Sequence, residues 1–435
     1  MRDARLAVAC VALSVLLSMS CGDSKADSEK STPQPGVTVG PSSLTVPPTG
    51  PAPTGKYNEL LWEGPSIGGL LAADGSTIKI GGDDCGRLSD LVWAPSGALF
   101  KGNCEVGGLD QLTVFDAVGH RLDQLPHRVS ESMWAPSGDA LAYVKRKADH
   151  RMGAVVILRS LADKEETEIP EAWEGAYASR DPADTSYYPQ DDPVLRAGYS
   201  PDGRSFAFYR SAYASCLPQC SQGLIVHNLN AGEERGFGDL VPLRWALEGS
   251  ALIGAANYRW EGFVVTFAAQ LIDVSTGIVT PLPALDNYVE IWLSPDSTHA
   301  AFATRRAGTQ SADLGTLDLR TGVSVIVTGA TLERSGAGAQ KGEVLVTDDG
   351  RVHWLQDSRR GMDLFRIEAD GSQNQRIGSF ALAYDGAISP DLRHVAYSTA
   401  GDSSFPELHV ARVDGSDAYR LAESAQYVWR PAAPP

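Results

Sequence analysis

The sequence contains few of the residues from which catalytic and metal centres are usually built. It has only six cysteines and eight histidines among 435 residues, and it contains no H-E-x-x-H segment, phosphate-binding loop or dinucleotide-binding fingerprint. Cations are also scarce, since 37 lysines and arginines are set against 54 aspartates and glutamates, a formal net charge of −17. Nucleic acids and anionic membrane surfaces attract clustered lysine and arginine, so this balance argues against both as partners. We expect no metal and no cofactor.

The first twenty residues have the features of an export signal. Arg2 and Arg5 precede an apolar run at residues 6–17 that is too short to span a bilayer as a stop-transfer helix. The following segment, Leu17-Ser18-Met19-Ser20-Cys21, resembles a bacterial lipobox except that its leucine lies one position too early. We therefore expect residues 1–20 to be a signal peptide and Cys21 to be lipidated, which would anchor the protein to a membrane of the cell envelope on its periplasmic or extracellular side. The alternative is a secreted protein without a lipid.

Residues 21–56 form a tether. They are dominated by Pro, Ser, Thr and Gly and show no apolar periodicity, so they cannot bury enough surface to fold. The expected domain organisation is therefore a signal peptide at 1–20, a disordered tether at 21–56 and a folded domain at 57–435.

The folded region repeats a short motif, which is the most specific signal in the chain. Each copy joins an aromatic or aliphatic residue to a Pro-containing turn. A strand with a small-then-aromatic core follows, for example Ala142-Tyr143 and Ala207-Phe208, and the first copy varies this with Leu99-Phe100. The five clear copies are Trp93-Ala94-Pro95-Ser96-Gly97, Trp134-Ala135-Pro136-Ser137-Gly138, Tyr199-Ser200-Pro201-Asp202-Gly203, Leu293-Ser294-Pro295-Asp296-Ser297 and Ile388-Ser389-Pro390-Asp391-Leu392. A second turn signal recurs later in each unit, so two hairpins make one four-stranded propeller blade.

The spacing of these markers predicts the blade number. The marker prolines at 201, 295 and 390 are separated by gaps that each leave room for one degenerate copy, at Trp245-Ala246-Leu247-Glu248-Gly249 and Val346-Thr347-Asp348-Asp349-Gly350. A last marker, Trp429-Arg430-Pro431, has no strands after it, whereas residues 59–62, 69–73 and 77–80 provide three strands without a marker. Pairing the two ends closes the ring and removes its edges. We predict an all-β propeller with eight blades, or seven if a degenerate copy is not a blade.

These repeats resemble those of the TolB-like, WD40-like (PD40) β-propeller family, over residues 57–435. The resemblance rests on the S-P-D-G turn, the strand with a small-then-aromatic core and the later D-x-x-G-type turn, as in Val413-Asp414-Gly415-Ser416. It implies a propeller in the bacterial cell envelope that serves as a binding platform. Related propellers also serve as non-catalytic caps of serine peptidases.

Four cysteines follow the tether, and export would place them where disulfides persist. Cys85 lies between the third N-terminal strand and the strand at Leu91, and Cys104 lies between the second and third strands of the next blade. Connections of these two kinds emerge on the same face of a propeller, so we expect a Cys85–Cys104 bond. Cys216 and Cys220 are expected to close a small loop. A metal site is the alternative, but no His or Cys lies nearby at zinc-finger spacing.

Two insertions mark the expected binding face. Residues 171–196 and 211–222 should leave the same face around one blade, and exposed aromatic residues on such a loop suit a protein or carbohydrate contact. The loops after each second strand also carry cations that would form a positively charged rim. The predicted partner-binding residues are Trp173, Tyr177, Tyr187, Tyr188, Arg210, Arg305, Arg306, Arg359 and Arg360; Lys145, Arg146, Lys147 and Arg151 belong to the same rim. The alternatives are aromatic residues packed on their own blade and cations that are merely solvated.

Enzyme signatures are weak. Gly64-Pro65-Ser66-Ile67-Gly68 matches G-x-S-x-G, but a nucleophile elbow needs a strand-to-helix turn in an α/β domain, and none is predicted. Asp181, Asp184, Asp191 and Asp192 fit no EF-hand spacing. We therefore expect a monomeric, non-catalytic binding or scaffolding propeller that engages an envelope protein or extracellular ligand on one face. The alternative is a lyase, hydrolase or cyclase with its site in the central channel, which polar residues converging from several blades would favour.

Overall fold

A computed structural model describes residues 59–63, 68–80, 85, 87–125, 129, 132–146, 153–174, 197–210, 223–261, 264–286, 288–305, 311–333, 344–400, 406–424 and 426–431. Within these residues the regular structure consists of 32 β-strands and two single-turn 3₁₀ helices, Leu247–Gly249 and Pro283–Leu285. No helix in this part of the chain is long and apolar enough to cross a membrane. The strands form eight antiparallel sheets of four strands each, which are the blades of a propeller.

Blade 1 contains both ends of the domain, and blades 2 to 4 follow it in chain order. Blade 1 consists of β1 (Leu60–Glu63), β2 (Gly68–Leu71), β3 (Thr77–Ile80) and β32 (Gln426–Trp429). Blade 2 consists of β4 (Leu88–Trp93), β5 (Leu99–Val106), β6 (Leu109–Asp116) and β7 (Arg121–Gln124). Blade 3 consists of β8 (Ser132–Trp134), β9 (Ala140–Arg146), β10 (Gly153–Ser160) and β11 (Glu166–Glu174). Blade 4 consists of β12 (Gly198–Tyr199), β13 (Ser205–Arg210), β14 (Gly223–Asn228) and β15 (Glu234–Gly236).

Blades 5 to 8 complete the ring. Blade 5 consists of β16 (Leu240–Ala246), β17 (Ala251–Glu261), β18 (Val264–Asp273) and β19 (Val279–Pro281). Blade 6 consists of β20 (Tyr288–Leu293), β21 (His299–Arg305), β22 (Ser311–Asp318) and β23 (Ser324–Glu333). Blade 7 consists of β24 (Val344–Val346), β25 (Val352–Ser358), β26 (Gly361–Ile367) and β27 (Gln375–Ala381). Blade 8 consists of β28 (Ala383–Ile388), β29 (His394–Thr399), β30 (Glu407–Arg412) and β31 (Tyr419–Glu423).

The two ends of the domain close the ring, as the spacing predicts. The last strand, β32, pairs antiparallel with β1, and Leu61 lies opposite Val428. Glu59 reinforces this closure, because its carbonyl oxygen accepts a hydrogen bond from the Arg430 N–H at 2.7 Å and its carboxylate pairs with the Arg430 guanidinium. Both degenerate copies are true blades, since Trp245 lies in β16 and Val346 ends β24. The prediction of eight blades is therefore confirmed.

The innermost strands of neighbouring blades contact one another, for example β20 with β24, β28 with β32 and β32 with β4. Tryptophan indole groups join some of these strands: Trp134 Nε1 donates to the Val92 carbonyl oxygen at 3.2 Å, and Trp245 Nε1 donates to that of Gly198 at 3.0 Å. Trp429 Nε1 makes the same contact with Ala387 across the closing junction at 2.9 Å. The marker aromatics thus tie adjacent blades together.

The hydrophobic core is divided among the junctions between blades. In the described residues it forms eight clusters, one at each junction. The small-then-aromatic pairs explain this arrangement, because successive residues of a strand face opposite sides of the blade. Ala142 packs at the junction of blades 3 and 4, whereas Tyr143 packs at the junction of blades 2 and 3, and both are fully buried. A small residue facing one neighbour and an aromatic facing the other lets the blades pack closely.

Strand order gives the propeller two distinct faces. We count the strands of each blade from the innermost one, which is β32 in blade 1. The upper face carries the turns after the first and third strands, and the lower face carries the connections after the second and fourth strands. Cys85 and Cys104 meet at the lower side of blades 1 and 2 in a disulfide with a Cα–Cα distance of 5.4 Å. Contrary to the prediction, Cys104 lies inside β5, opposite Leu88 and Gln111, because β5 extends two residues beyond it.

Candidate functional site

The two predicted insertions start and end on the lower face, one before blade 4 and one between its second and third strands. One connects the end of β11 at Glu174 to β12 at Gly198, and the other connects Arg210 to Gly223, which lie opposite each other in β13 and β14. Trp173 belongs to β11 and pairs with Ala154 instead of lying in a loop, because β11 runs four residues into the segment expected to be irregular. Tyr177, Tyr187, Tyr188, Cys216 and Cys220, like Cys21 and the four aspartates Asp181, Asp184, Asp191 and Asp192, lie outside the described residues.

The structure describes some of the predicted cations and not others. Arg359 and Arg360 form the turn between β25 and β26 on the lower face, and both are exposed. Arg210 and Arg305 are the last residues of β13 and β21, at the same edge. Lys145 Nζ lies 3.6 Å from Glu166 Oε2, so this cation of the rim is paired. Arg306, Lys147 and Arg151 lie outside the described residues.

Sequence reasoning missed a set of carboxylates on the innermost strands. Asp90, Glu290 and Asp385 each lie three residues before the marker residue that ends the first strand of blades 2, 6 and 8. The strand register shifts at each of these positions, and such bulges re-aim side chains. Glu131 and Glu343 hold the same place in the sequence of their repeats but lie outside the described residues. Aligning the repeats on their markers would have revealed the pattern.

Asp385 is the most perturbed of these carboxylates. Burial is the main cause that raises its pKa, to about 6, and the charge of Asp357 acts in the same direction. The Tyr427 hydroxyl opposes this by donating to Asp385 Oδ2 at 3.2 Å. Glu63, the last residue of β1, is affected in the same way: burial raises its pKa although the Leu91 N–H donates to its Oε1 at 3.1 Å. Carboxylates with raised pKa near a channel are typical of functional sites.

An exposed apolar pair adjoins Asp385. Leu382 is 54% exposed and Tyr384 is 49% exposed, although they flank the start of an inner strand. The Leu382 N–H donates to the Arg360 carbonyl oxygen at 2.8 Å, which places this pair beside the exposed arginine turn. Leu382 also adopts a φ of +61°, a conformation that is costly for a residue with a Cβ. The lower mouth of the channel at blades 7, 8 and 1 thus combines carboxylates, arginines and exposed apolar side chains.

The described residues show no complete nucleophile–base constellation. Thr399 Oγ1 lies 3.0 Å from His409 Nε2. Glu407 Oε2 approaches the same ring nitrogen at 3.5 Å, so Glu407 does not orient the ring through Nδ1 as a catalytic triad requires. Glu63, which precedes the G-x-S-x-G segment, pairs with Gly68 at the end of that segment, so the strands on its two sides are antiparallel neighbours and not a strand and a helix. No three His, Cys, Asp or Glu side chains in this part of the chain are grouped to hold a metal ion.

Comparison with known proteins supports the fold and no more. No protein-family model and no curated protein sequence matches the chain. Among solved structures, one of the eukaryotic initiation factor is similar at a TM-score of 0.53 and 11% identity, covering 86% of this chain and 98% of that one. TolB from Acinetobacter baumannii has a TM-score of 0.37 at 14% identity, covering 86% and 82%, and an oligogalacturonate lyase in complex with manganese has 0.48 at 13%, covering 83% and 99%. The chain is thus an eight-bladed β-propeller.

Proposed function

We propose that this protein is a cell-envelope binding platform that engages a protein partner through its lower face. The observation that carries the proposal is the exposed pair Leu382 and Tyr384 beside Arg359 and Arg360 at the channel mouth. Exposed aromatic residues and arginines supply much of the binding energy in protein interfaces. A strained backbone at Leu382 is retained at the cost of stability, which is typical of a position kept for function.

The location of the protein is part of the same proposal. Residues 1–20 would direct export, Cys21 would carry a lipid, and the tether at 21–56 would hold the propeller away from the membrane. The intact mass of the mature protein tests this step. If the mature chain is heavier by the mass of a lipid and Cys21→Ser loses this extra mass, anchoring is supported. An unmodified mature chain would overturn it.

Capture of partners from an envelope extract tests the binding face. The Leu382→Ser and Tyr384→Ala double variant should lose about 90% of the captured partner, because both side chains would be buried in the complex. Replacing residues 175–196 by a short Gly-Ser linker tests the insertion separately. The matched control is the Ile278→Ser and Val323→Ser variant, since these side chains are 64% and 63% exposed but lie in upper-face turns. Equal loss in both double variants, or loss in neither, would contradict the proposal.

Catalysis in the channel is the second candidate. Asp90, Glu290 and Asp385 occupy the same position on the first strands of blades 2, 6 and 8. Asp385, with its pKa of about 6, is suited to a general acid or base near neutral pH. The two candidates differ in the behaviour of Asp385→Asn. A general acid would lose turnover while retaining ligand affinity, whereas a binding platform would lose affinity.

A further inference from the structure

The outer turns of the upper face differ between blades at one position. Each of these turns connects the third and fourth strands and is closed by a backbone hydrogen bond to the carbonyl oxygen of the residue that follows the turn. In blades 5 and 6 this residue is Ile278 and Val323, with exposed fractions of 64% and 63%. In the other blades the corresponding residues are polar: Ser76, His120, Glu165, Glu233, Ser372 and Ser416. Two neighbouring blades thus expose apolar side chains where the others expose polar ones.

These two turns and the strands after them form what we call the apolar rim, which consists of Ile278, Val279, Val323 and Ile326. The two additional side chains belong to the outermost strands β19 and β23 and are 42% and 51% exposed. A turn of this kind lies against the outermost strand of the preceding blade, since a Cβ on Gly371 of blade 7 would lie 2.6 Å from Val325 of blade 6. By the same arrangement the blade 6 turn lies beside β19, so the rim continues across both blades.

The chain enters the propeller on the same face as the rim, at the opposite side of the ring. Glu59 binds Arg430 at the upper end of blade 1, and blade 5 is four blades away in a ring of eight. A flexible chain as long as residues 22–58 spans about 33 Å on average. A lipid on Cys21 would therefore keep the upper face near the bilayer. Even a weak contact between the rim and the lipid would then form, because it becomes intramolecular.

The charges around the rim indicate the kind of lipid surface that it fits. Arg320 is exposed in the blade 6 turn, and a guanidinium group binds phosphate well. The same two turns contain Asp273 and Asp318, and the whole chain has a net charge of −17, so an anionic surface would be repelled. The rim therefore fits a zwitterionic surface that aliphatic side chains enter, and not an anionic surface bound through charge.

We propose, on the basis of the lipid anchor in the proposed function, that the apolar rim of blades 5 and 6 inserts into the surface of the membrane to which the protein is anchored. The four aliphatic side chains enter the boundary between headgroups and acyl chains, and Arg320 stays among the phosphates. This contact leaves the lower face, with Leu382 and Tyr384, directed away from the bilayer and open to the protein partner.

Sedimentation with phosphatidylcholine vesicles tests the insertion on residues 21–435 carrying Cys21→Ser, a chain with no lipid of its own. We expect half of this protein to bind at a lipid concentration on the order of 1 mM, as for a weak apolar anchor. Adding Ile278→Ser and Val323→Ser should weaken binding at least about tenfold, because apolar surface is removed from the contact. The matched control is Leu109→Ser and Leu382→Ser, which should not alter binding, since these side chains are 62% and 54% exposed but lie on the lower face.

The composition of the vesicles separates insertion from adhesion by charge. Replacing about a third of the lipid by phosphatidylglycerol should weaken binding, because the upper-face aspartates are repelled. Salt should not release the protein from phosphatidylcholine. Tighter binding to the anionic vesicles, equal binding by the rim variant, equal loss in the control variant, or no binding of the Cys21→Ser chain at about 10 mM lipid would overturn the proposal.

A second copy of the chain is the other occupant that the rim could take. Light scattering after size-exclusion chromatography tests this, and a dimer that Ile278→Ser and Val323→Ser abolish would overturn membrane insertion, since protein would then cover the rim. If vesicle binding fails while Cys21 carries its lipid and partner capture depends on Leu382 and Tyr384, this inference falls and the proposed function stands.

Discussion

The upper and lower faces of the ring shift the pKa values of their carboxylates in opposite directions. Upper-face turns use aspartates as caps: Asp273 Oδ1 accepts the Thr276 N–H at 2.8 Å and the Ser275 hydroxyl at 2.7 Å, which lowers its pKa to about 2. Hydrogen bonds likewise lower the pKa of Asp74, Asp163, Asp349, Asp370 and Asp414. At Asp116, Asp202, Asp296 and Asp318, partial burial acts to raise the pKa, and the hydrogen bonds outweigh it.

On the lower face the balance is reversed, because burial outweighs the hydrogen bonds at Asp385 and Glu63. These ten aspartates therefore have a structural role, since they close turns on the upper face. The lower face keeps carboxylates where they lower stability. That difference, more than the number of acidic residues, supports the proposal that the lower face is the binding face.

The largest expected effect concerns the disulfide that ties the lower side of blade 1 to blade 2. Cys85 and Cys104 are separated by 19 residues, and the chain-entropy argument gives about 3 kcal/mol for a loop of this size. We expect the Cys85→Ala and Cys104→Ala double variant to unfold at a lower urea concentration by a corresponding amount. Reductant should destabilise the wild type but leave the double variant nearly unchanged. Further destabilisation of the double variant by reductant would assign the effect to other cysteines.

The second prediction is that carboxylates on the two faces change the free energy of unfolding with pH in opposite directions. The folded pKa of Asp385 is about 6, above the value of 3.8 for an unperturbed aspartate, so the folded state takes up the proton first and stability rises as the pH falls from 7 to 4. For the upper-face aspartates the folded pKa is lower than the unfolded one, so their contribution is complete above pH 4 and is lost as the pH falls toward 2.

Urea unfolding between pH 2 and pH 7 measures both contributions. Asp385→Asn should raise the free energy of unfolding at pH 7, on the order of 1–2 kcal/mol, and the gain should vanish near pH 4. Asp273→Asn should lower the free energy of unfolding by a constant amount above pH 4, and this difference from wild type should disappear as the pH falls toward 2. The difference from wild type is the useful quantity, because His353, whose pKa burial lowers to about 4, titrates in the opposite direction over the same range. A gain in Asp385→Asn that is constant with pH would contradict the assignment.

The fold was predictable from the sequence because the residue types of the markers determine the local strand ends and turns. Trp93, Trp134 and Trp429 end inner strands, and the turn chemistry that follows each of them needs no knowledge of the partner strands. The carboxylates at the channel mouth were missed because their placement depends on bulges in register. Asp385 has no distinctive neighbours in the sequence, and only the pairing of Ala383 with Thr399 and of Asp385 with Ser398 shows that Tyr384 is the extra residue.

The smallest expected effect on stability comes from backbone strain, which we compare between residues of positive φ on the upper and the lower face. Ser297 occupies the last position of an upper-face marker turn at a φ of +53°, where Gly203 has +70° in its own copy. Ser297→Gly should stabilise the protein by about 0.5–1 kcal/mol, because glycine has no Cβ to strain. Gly203→Ser should destabilise it by a similar amount, since a Cβ there would meet nothing closer than Pro136 Cδ at 3.8 Å and only the backbone cost remains.

Leu382→Gly extends this comparison to the lower face. Leu382 has a φ of +61°, so the glycine variant should gain stability to the same small extent as Ser297→Gly in urea unfolding. Partner capture should nevertheless fall, because an exposed apolar side chain is removed from the proposed interface, whereas Ser297→Gly should leave capture unchanged. If both variants gain stability and both retain the partner, the strain at Leu382 has no functional cause. If Leu382→Gly loses stability, the side chain supports the fold, and its exposure is no longer an argument for binding.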